Sequence, residues 1–233
     1  FEKLFAKYVG LKHCISTNNG TDALILSLKS LGLKKGDEVI TVCNSFYATA
    51  GAIDACGAKI IFVDSDDRYQ INIHKIEKAI TKKTKVILPV HWAGASPNMS
   101  HIMKIAKKYK LKVVEDACMG IGAKIFKKSP GTFGEVNAFS MHPLKSLNVM
   151  GDGGMIGTND DKIADWLRKY RNHGMINRDE LDRTMTEPKT FKEFIRWLEV
   201  YSPVDWEEMQ RFEDEAGASV WIRFDLEKEE DDE

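Results

Sequence analysis

Cysteine is scarce and scattered in this 233-residue chain: Cys14, Cys43, Cys56 and Cys118 form no C-x-x-C pair, and no histidine stands near them at metal-ligand spacing. A thiolate metal site and a disulfide framework are therefore not expected; the pattern points to buried free thiols in a reducing, cytoplasmic setting. Also missing is any apolar run near the roughly 18–20 residues that cross a bilayer, and the opening Phe-Glu-Lys-Leu-Phe-Ala-Lys lacks the order of a secretory signal. Net charge is lacking too. With 34 Lys and Arg against 35 Asp and Glu the formal balance is −1, which gives no global reason to expect a nucleic acid or a membrane surface as partner. What the chain has is 43% hydrophobic residues, enough to build a buried core.

The neutrality is a sum of two unlike parts. Residues 181–233 carry 17 acidic and 7 basic side chains, or −10, while residues 1–180 carry 18 acidic and 27 basic, or +9. In the acidic part Phe191, Phe194, Ile195, Trp197 and Leu198 stand at helical spacing after Pro188, a second helix is suggested after Pro203, and the end is Glu-Lys-Glu-Glu-Asp-Asp-Glu. This reads as a short, mainly helical tail with a solvated acidic end. At the other end the chain starts without Met inside a helical pattern (Phe1, Leu4, Phe5, Tyr8), so a preceding N-terminal piece is expected.

Between residue 12 and about 174, short β-branched or apolar runs alternate with segments of helical period, the signature of βαβ units and a mostly parallel sheet. Strands are expected at His13–Thr17, Glu38–Cys43, Lys59–Val63, Lys85–Val90, Lys112–Glu115, Asn137–Ser140 and Gly154–Thr158. Helices are expected at Ala23–Leu31, Ala48–Cys56, Ile73–Ile80, Met99–Tyr109 and Asp160–Arg171. Runs such as Val86-Ile87-Leu88 do not alternate with polar residues, so both faces of the strands should be covered by helices, giving a three-layer α/β domain. In such sheets ligands bind beyond the carboxyl ends of the strands.

Four segments meet that rule. At Asn18-Asn19-Gly20-Thr21-Asp22-Ala23-Leu24 a strand runs through glycine into a helix, where backbone N–H groups and the Thr21 hydroxyl favour a phosphate; an ordinary N-cap by Thr or Asp is the alternative. At Asn44-Ser45-Phe46-Tyr47-Ala48-Thr49-Ala50 an aromatic at a strand end either lies on a planar ring or is simply core. Val113-Val114-Glu115-Asp116-Ala117 is an apolar strand ending in two carboxylates, so Asp116 needs a positive or hydrogen-bonding partner unless it caps a helix. In Phe139-Ser140-Met141-His142-Pro143-Leu144-Lys145 the lysine has an apolar, Gly-rich neighbourhood in which burial would favour a reactive free amine, whereas most lysines are solvated. Gly151-Asp152-Gly153-Gly154 lacks the G-x-G-x-x-G spacing and precedes a strand, which leaves a nicotinamide-dependent Rossmann enzyme as a weaker rival and a tight turn as the reading of these glycines.

Together the four sites suit pyridoxal phosphate: a phosphate cup, a stacking ring, a carboxylate for the pyridinium nitrogen and a Schiff-base lysine. Residues 1 to about 178 resemble the sugar aminotransferases of the DegT/DnrJ/EryC1/StrS family, a branch of the fold-type I pyridoxal-phosphate enzymes. The resemblance runs through Gly20-Thr21-Asp22-Ala23-Leu24, Gly36-Asp37-Glu38-Val39-Ile40, Asn44 to Ala50, Pro89-Val90-His91-Trp92-Ala93-Gly94, Glu115-Asp116-Ala117, Ser140 to Lys145, Gly151 to Gly154 and Arg171-Asn172-His173-Gly174. It implies the large domain of the aspartate-aminotransferase type over residues 1–178 and a homodimer with its active sites at the interface; the acidic tail over 179–233 lies beyond the resemblance. It also implies that Lys145 and Asp116 are catalytic, with Lys145 on the cofactor's carbonyl carbon and then shuttling the proton, and Asp116 on the ring nitrogen. Phe46 would stack on the ring, and Gly20, Thr21 and Ser140 would touch the phosphate. Some relatives have His in place of the lysine and are dehydratases, so Lys145 implies transamination, with glutamate as amino donor and a keto group on a nucleotide-linked sugar or sugar acid as acceptor.

Two departures stand out. Family members usually carry Gln three residues after the aspartate, where this chain has Met119, which makes no strong hydrogen bond. After Gly174 the family continues through a Tyr-Asn-x-Arg-type segment into a small C-terminal domain, and no such pattern is apparent between Asn177 and Glu233. A non-catalytic chain, truncated or fused, whose tail is an interaction module is the alternative expectation.

Overall fold

The computed structural model describes residues 1–172 and 174, and Phe1–Asn172 forms one compact unit. The expected boundary at residue 178 and the expected helices after Pro188 and Pro203 lie outside the described residues. In chain order the elements are α1 (Glu2–Val9), β1 (His13–Thr17), α2 (Gly20–Lys29), β2 (Glu38–Val42), α3 (Tyr47–Asp54), β3 (Lys59–Val63), α4 (Ile73–Ala79), β4 (Thr84–Leu88), α5 (Met99–Tyr109), β5 (Lys112–Asp116), β6 (Val136–Ser140), β7 (Gly154–Thr158) and α6 (Asp161–Tyr170).

The seven strands form one sheet in the order β1-β7-β6-β5-β4-β2-β3. Neighbouring strands from β3 across to β6 pair parallel, whereas β7 runs antiparallel to both β6 and β1. Two antiparallel steps in succession restore the direction, so β1 ends on the same side of the sheet as β6. Alternate residues feed two apolar clusters: Ile15, Ala138 and Ile156 belong to one, and their neighbours Cys14, Phe139 and Met155 to the other. Side chains on successive strand residues point to opposite faces, so the sheet is covered on both. Every residue of β2, β6 and β7 is buried. The expectation of two covered faces fails at the edge, where β3 is mostly half-buried or exposed and Phe62 is 55% exposed.

Local chemistry explains most boundaries. Asn72, Asn98 and Asp160 cap α4, α5 and α6 by accepting backbone N–H bonds, and α1 stops at Gly10, whose φ of 91° is the left-handed conformation that glycine adopts freely. On α1, Phe5, Ala6 and Val9 are buried, with the Phe5 ring edge-on to Phe139 at 5.2 Å between centroids. The fourth strand stops at Leu88 rather than Val90 because Pro89 has no N–H to continue the ladder; its carbonyl instead accepts from Asp116 N at 2.9 Å. All four thiols are free, but Cys43 is exposed at the end of β2, which corrects the expectation that all are buried. Burial raises Cys14 to about 12 and Cys56 to about 11. Among the described residues no helix is long and apolar enough to cross a membrane.

Candidate active site

The carboxyl ends of the strands open onto a cavity of about 440 Å³ whose lining includes Asn19, Gly20, Thr21, Phe46, Tyr47, Trp92, Asp116, Cys118, Met119, Ser140, His142, Lys145 and Asp152. All six sequence-selected residues, Gly20, Thr21, Phe46, Asp116, Ser140 and Lys145, therefore meet in one place. They arrive there from four different strand ends, those of β1, β2, β5 and β6. The antiparallel β7 adds Asp152 from just before its start, since its amino end lies on this same side.

At the first corner, α2 begins at Gly20, and Asn19 is the N-cap, its Oδ1 accepting from Asp22 N at 2.7 Å. The expected N-cap alternative, Thr21 or Asp22, is thus corrected: Asn19 does that work because the strand leaves it in extended backbone (φ −163°), and Thr21 sits in the first turn lining the cavity. The turn packs tightly. A Cβ on Gly20 would stand 2.7 Å from Ser140 Cβ, and one on Gly154 would stand 2.1 Å from Asn19 O. The helix start can lie against β6 and β7 only with no side chain at either position.

At the second corner, Phe46 is 57% exposed, which overturns the core alternative; it precedes α3 with its ring 4.0 Å from that of Tyr47. Thr49, one turn into α3, donates from Oγ1 to Asp116 Oδ2 at 2.7 Å and lies 2.6 Å from Ser45 Oγ. Asp116, only 6% exposed, also accepts from Cys118 N on Oδ1 at 3.2 Å. Asp116 is the last residue of β5 and no helix begins directly after it, so the helix-cap alternative falls. Burial, with Asp116 beside it, pushes the Cys118 thiol well above its usual range and keeps it a thiol.

At the third corner, Ser140 is buried and its Oγ accepts from His142 N at 3.3 Å. Lys145 lies on the connection between β6 and β7 and is half-buried; its backbone N–H bonds His142 O at 2.8 Å. The apolar, enclosed setting expected for it is corrected. The connection lies at the cavity mouth, where Leu144 is 88% exposed and His142 Nε2 is 4.0 Å from Asp152 Oδ1. Sequence reasoning gave no role to Asn19, Thr49, Trp92 or Asp152. Thr49 carried a signal, four residues after Ser45, which precedes the same helix, whereas nothing in the sequence reveals that Asp152 returns to the cavity that Lys145 lines.

The donor set fits the expected cofactor. The N–H groups at the start of a ten-residue helix with two hydroxyls, Thr21 and Ser140, suit a phosphate; the bare Gly20 leaves them within reach, and a buried carboxylate suits a ring N–H. Met119 lines the same cavity and offers only a thioether.

Comparison with known proteins agrees. A sequence model of the DegT/DnrJ/EryC1/StrS aminotransferase family matches residues 1–213, so the likeness reaches past residue 178, where the sequence reading had ended it. A UDP-N-acetyl-3-dehydro-alpha-D-glucosamine 3-aminotransferase of Acidithiobacillus ferrooxidans is 46% identical over 166 residues, 71% of this chain and 45% of that protein. A dTDP-3-amino-3,4,6-trideoxy-alpha-D-glucose transaminase of Micromonospora megalomicea subsp. nigra is 42% identical over 176 residues, 75% of this chain and 47% of that one. Among solved structures, NtdA from Bacillus subtilis with bound cofactor PMP is 39% identical with a TM-score of 0.71, covering 82% of this chain and 42% of that chain. The chain spans about half the length of the curated relatives it matches.

Proposed function

The chain belongs to the DegT/DnrJ/EryC1/StrS aminotransferase family, and from that premise we propose that it transfers an amino group from glutamate to a keto group of a nucleotide-linked sugar or sugar acid, with pyridoxal phosphate as cofactor. The observation that carries this reading is the convergence of Gly20, Thr21, Phe46, Asp116, Ser140 and Lys145 on one cavity at the carboxyl ends of the strands. When bound, the cofactor supplies an electron-accepting ring that stabilises the negative charge left at the donor's α carbon. Thr21, Ser140 and the first N–H groups of α2 hold its phosphate. Asp116, kept in orientation by Thr49 and Cys118 N, would meet the ring nitrogen and favour a proton there. Phe46, which lines the cavity, would cover a ring face and exclude water. Lys145 Nζ would move a proton from the donor's α carbon to the cofactor's carbonyl carbon, acting as general base and then general acid.

The same reading includes a homodimer. Its support is the apolar rim of the cavity, where Phe46, Tyr47 and Leu144 are 57%, 79% and 88% exposed. It also includes a cytoplasmic setting, supported by four free thiols.

Adding pyridoxal phosphate to the purified chain should give a visible absorbance band that Lys145→Ala abolishes and that glutamate bleaches. No band at saturating cofactor would sink the proposal. Glutamate-dependent amination of a keto nucleotide sugar, followed by mass spectrometry, then tests the acceptor class.

A further inference from the structure

Two residues of the family-like segments take no part in the chemistry above, yet both are wholly buried. His91 and Glu115 are each 0% exposed, and His91 Nε2 lies 2.7 Å from Glu115 Oε2. A buried carboxylate is costly unless its oxygens are satisfied. Glu115 meets that condition: Oε2 also accepts from Gly131 N at 2.8 Å, and Oε1 accepts from Phe133 N at 2.6 Å and Gly134 N at 2.7 Å. Three backbone N–H groups mark both oxygens as acceptors, so the network assigns the Nε2 proton to His91 as the fourth donor. On its other side, His91 Nδ1 lies 2.7 Å from Ser96 Oγ and closes the turn that carries Trp92. That turn contains Ala93 with φ 53°, a left-handed conformation that an alanine adopts only when its surroundings enforce it.

The backbone makes the pair relevant to the cavity. His91 N donates to Asp116 O at 3.0 Å and Asp116 N donates to Pro89 O at 2.9 Å, so His91 grips the carboxyl end of β5 twice, by main chain at Asp116 and by side chain at Glu115. Adjacent strand residues point to opposite faces, and any rotation that moves Glu115 must swing Asp116 the other way. Resting on the reading that this cavity takes pyridoxal phosphate, we propose that His91 and Glu115 are positioning residues: a buried clamp that fixes the direction in which the Asp116 carboxylate enters the cavity and ties it to the Trp92 wall. Neither touches the cofactor. Through Glu115 the clamp joins the end of β5, the 91–96 turn and the 131–134 turn.

The test is a double-mutant cycle on the full 233-residue chain, read by pyridoxal-phosphate titration of tryptophan fluorescence, with circular dichroism and thermal unfolding as the check on folding. His91→Leu should weaken cofactor binding about tenfold, while His91→Gln, which retains a donor for Glu115, should recover most of that loss. In an Asp116→Asn background His91→Leu should add less than about a twofold change, because the group it positions is already impaired. Where the substrate is turned over, kcat should fall with the acceptor's KM unchanged, since no acceptor contact is lost. Should the leucine variant not fold, Glu115→Gln takes its place in the same cycle, because its amide N–H would face backbone donors. Wild-type affinity in a folded clamp variant, or an equal loss in the Asp116→Asn background, overturns the clamp while leaving the functional reading intact. Absence of binding by the unsubstituted chain overturns the functional reading, and the clamp with it.

Discussion

Single contacts decide whether this cavity works, and Gly20 shows it best. It has no left-handed φ to protect; alanine is excluded there by space alone, its Cβ falling 2.7 Å from Ser140 Cβ and 3.1 Å from Cys118 Sγ. Gly20→Ala should therefore lower stability by about 1–3 kcal/mol through overpacking and weaken pyridoxal-phosphate binding by displacing the phosphate cup. Calorimetry and cofactor titration measure both, and the pair Gly20→Ala/Ser140→Gly should regain part of the stability. Thr49 offers a contrasting case, because valine fits its space but cannot donate. Thr49→Val leaves Asp116 Oδ2 without its 2.7 Å donor, so a loss of about 1 kcal/mol and weaker cofactor binding are expected, with Thr49→Ser near wild type. Unchanged cofactor affinity in Thr49→Val would mean that Asp116 needs no support from α3.

At the scale of elements, what could be foreseen followed from periodicity and what could not followed from direction. Strand and helix positions agree closely with the sequence reading because β-branched runs and 3.6-residue apolar spacing are local properties. Strand direction is not local. The connection from β6 to β7, residues 141–153, contains no helix, and without a crossover helix β7 returns antiparallel. That return carries Asp152 back to the cavity that Lys145 lines, a neighbourhood invisible in the residues themselves. For the same reason Lys145 proved half-buried at the mouth: its neighbour Leu144 faces outward, while Met141 turns into the core. Another long-range tie joins the ends of this unit. Glu2 on α1 accepts from Ser16 N at 2.8 Å and Ser16 Oγ at 2.9 Å and pairs with the Arg171 guanidinium just after α6. Burial pushes the Glu2 carboxyl up, but the Ser16 N–H and Arg171 outweigh it, and its pKa lies below the usual 4.5. A depressed folded value means the tie contributes fully above about pH 4.5 and is lost as pH falls through the folded value. Glu2→Gln should cost about 0.5–1 kcal/mol at neutral pH, given the partial exposure, and the gap between wild type and variant should close in acid. Urea unfolding at several pH values measures it; a gap that persists in acid would assign the cost to packing instead.

For the molecule as a whole, charge and exposed surface make different claims. The excess of +9 over residues 1–180 and −10 over the rest cancel in the sum, so net charge says little about association. The apolar rim says more. Tyr47 and Leu144, 79% and 88% exposed, stand beside Phe46 at the mouth of a cavity that must exclude water to hold a proton-transferring lysine. A second copy of the chain placed over this rim would bury those side chains and close both mouths at once, as a two-fold interface requires of a self-complementary patch. Sedimentation equilibrium should accordingly give twice the 26.4 kDa chain mass. Replacing Tyr47 and Leu144 together by Asp should return the single-chain mass with an unchanged far-ultraviolet spectrum, since neither side chain supports the core. Cofactor affinity should fall with the dimer, because the mouth then stands open to solvent. A wild-type chain that sediments as a monomer at concentrations around 10–100 µM would overturn the dimer, and an Asp variant that binds pyridoxal phosphate as tightly as wild type would show that the cofactor needs no second subunit over the mouth.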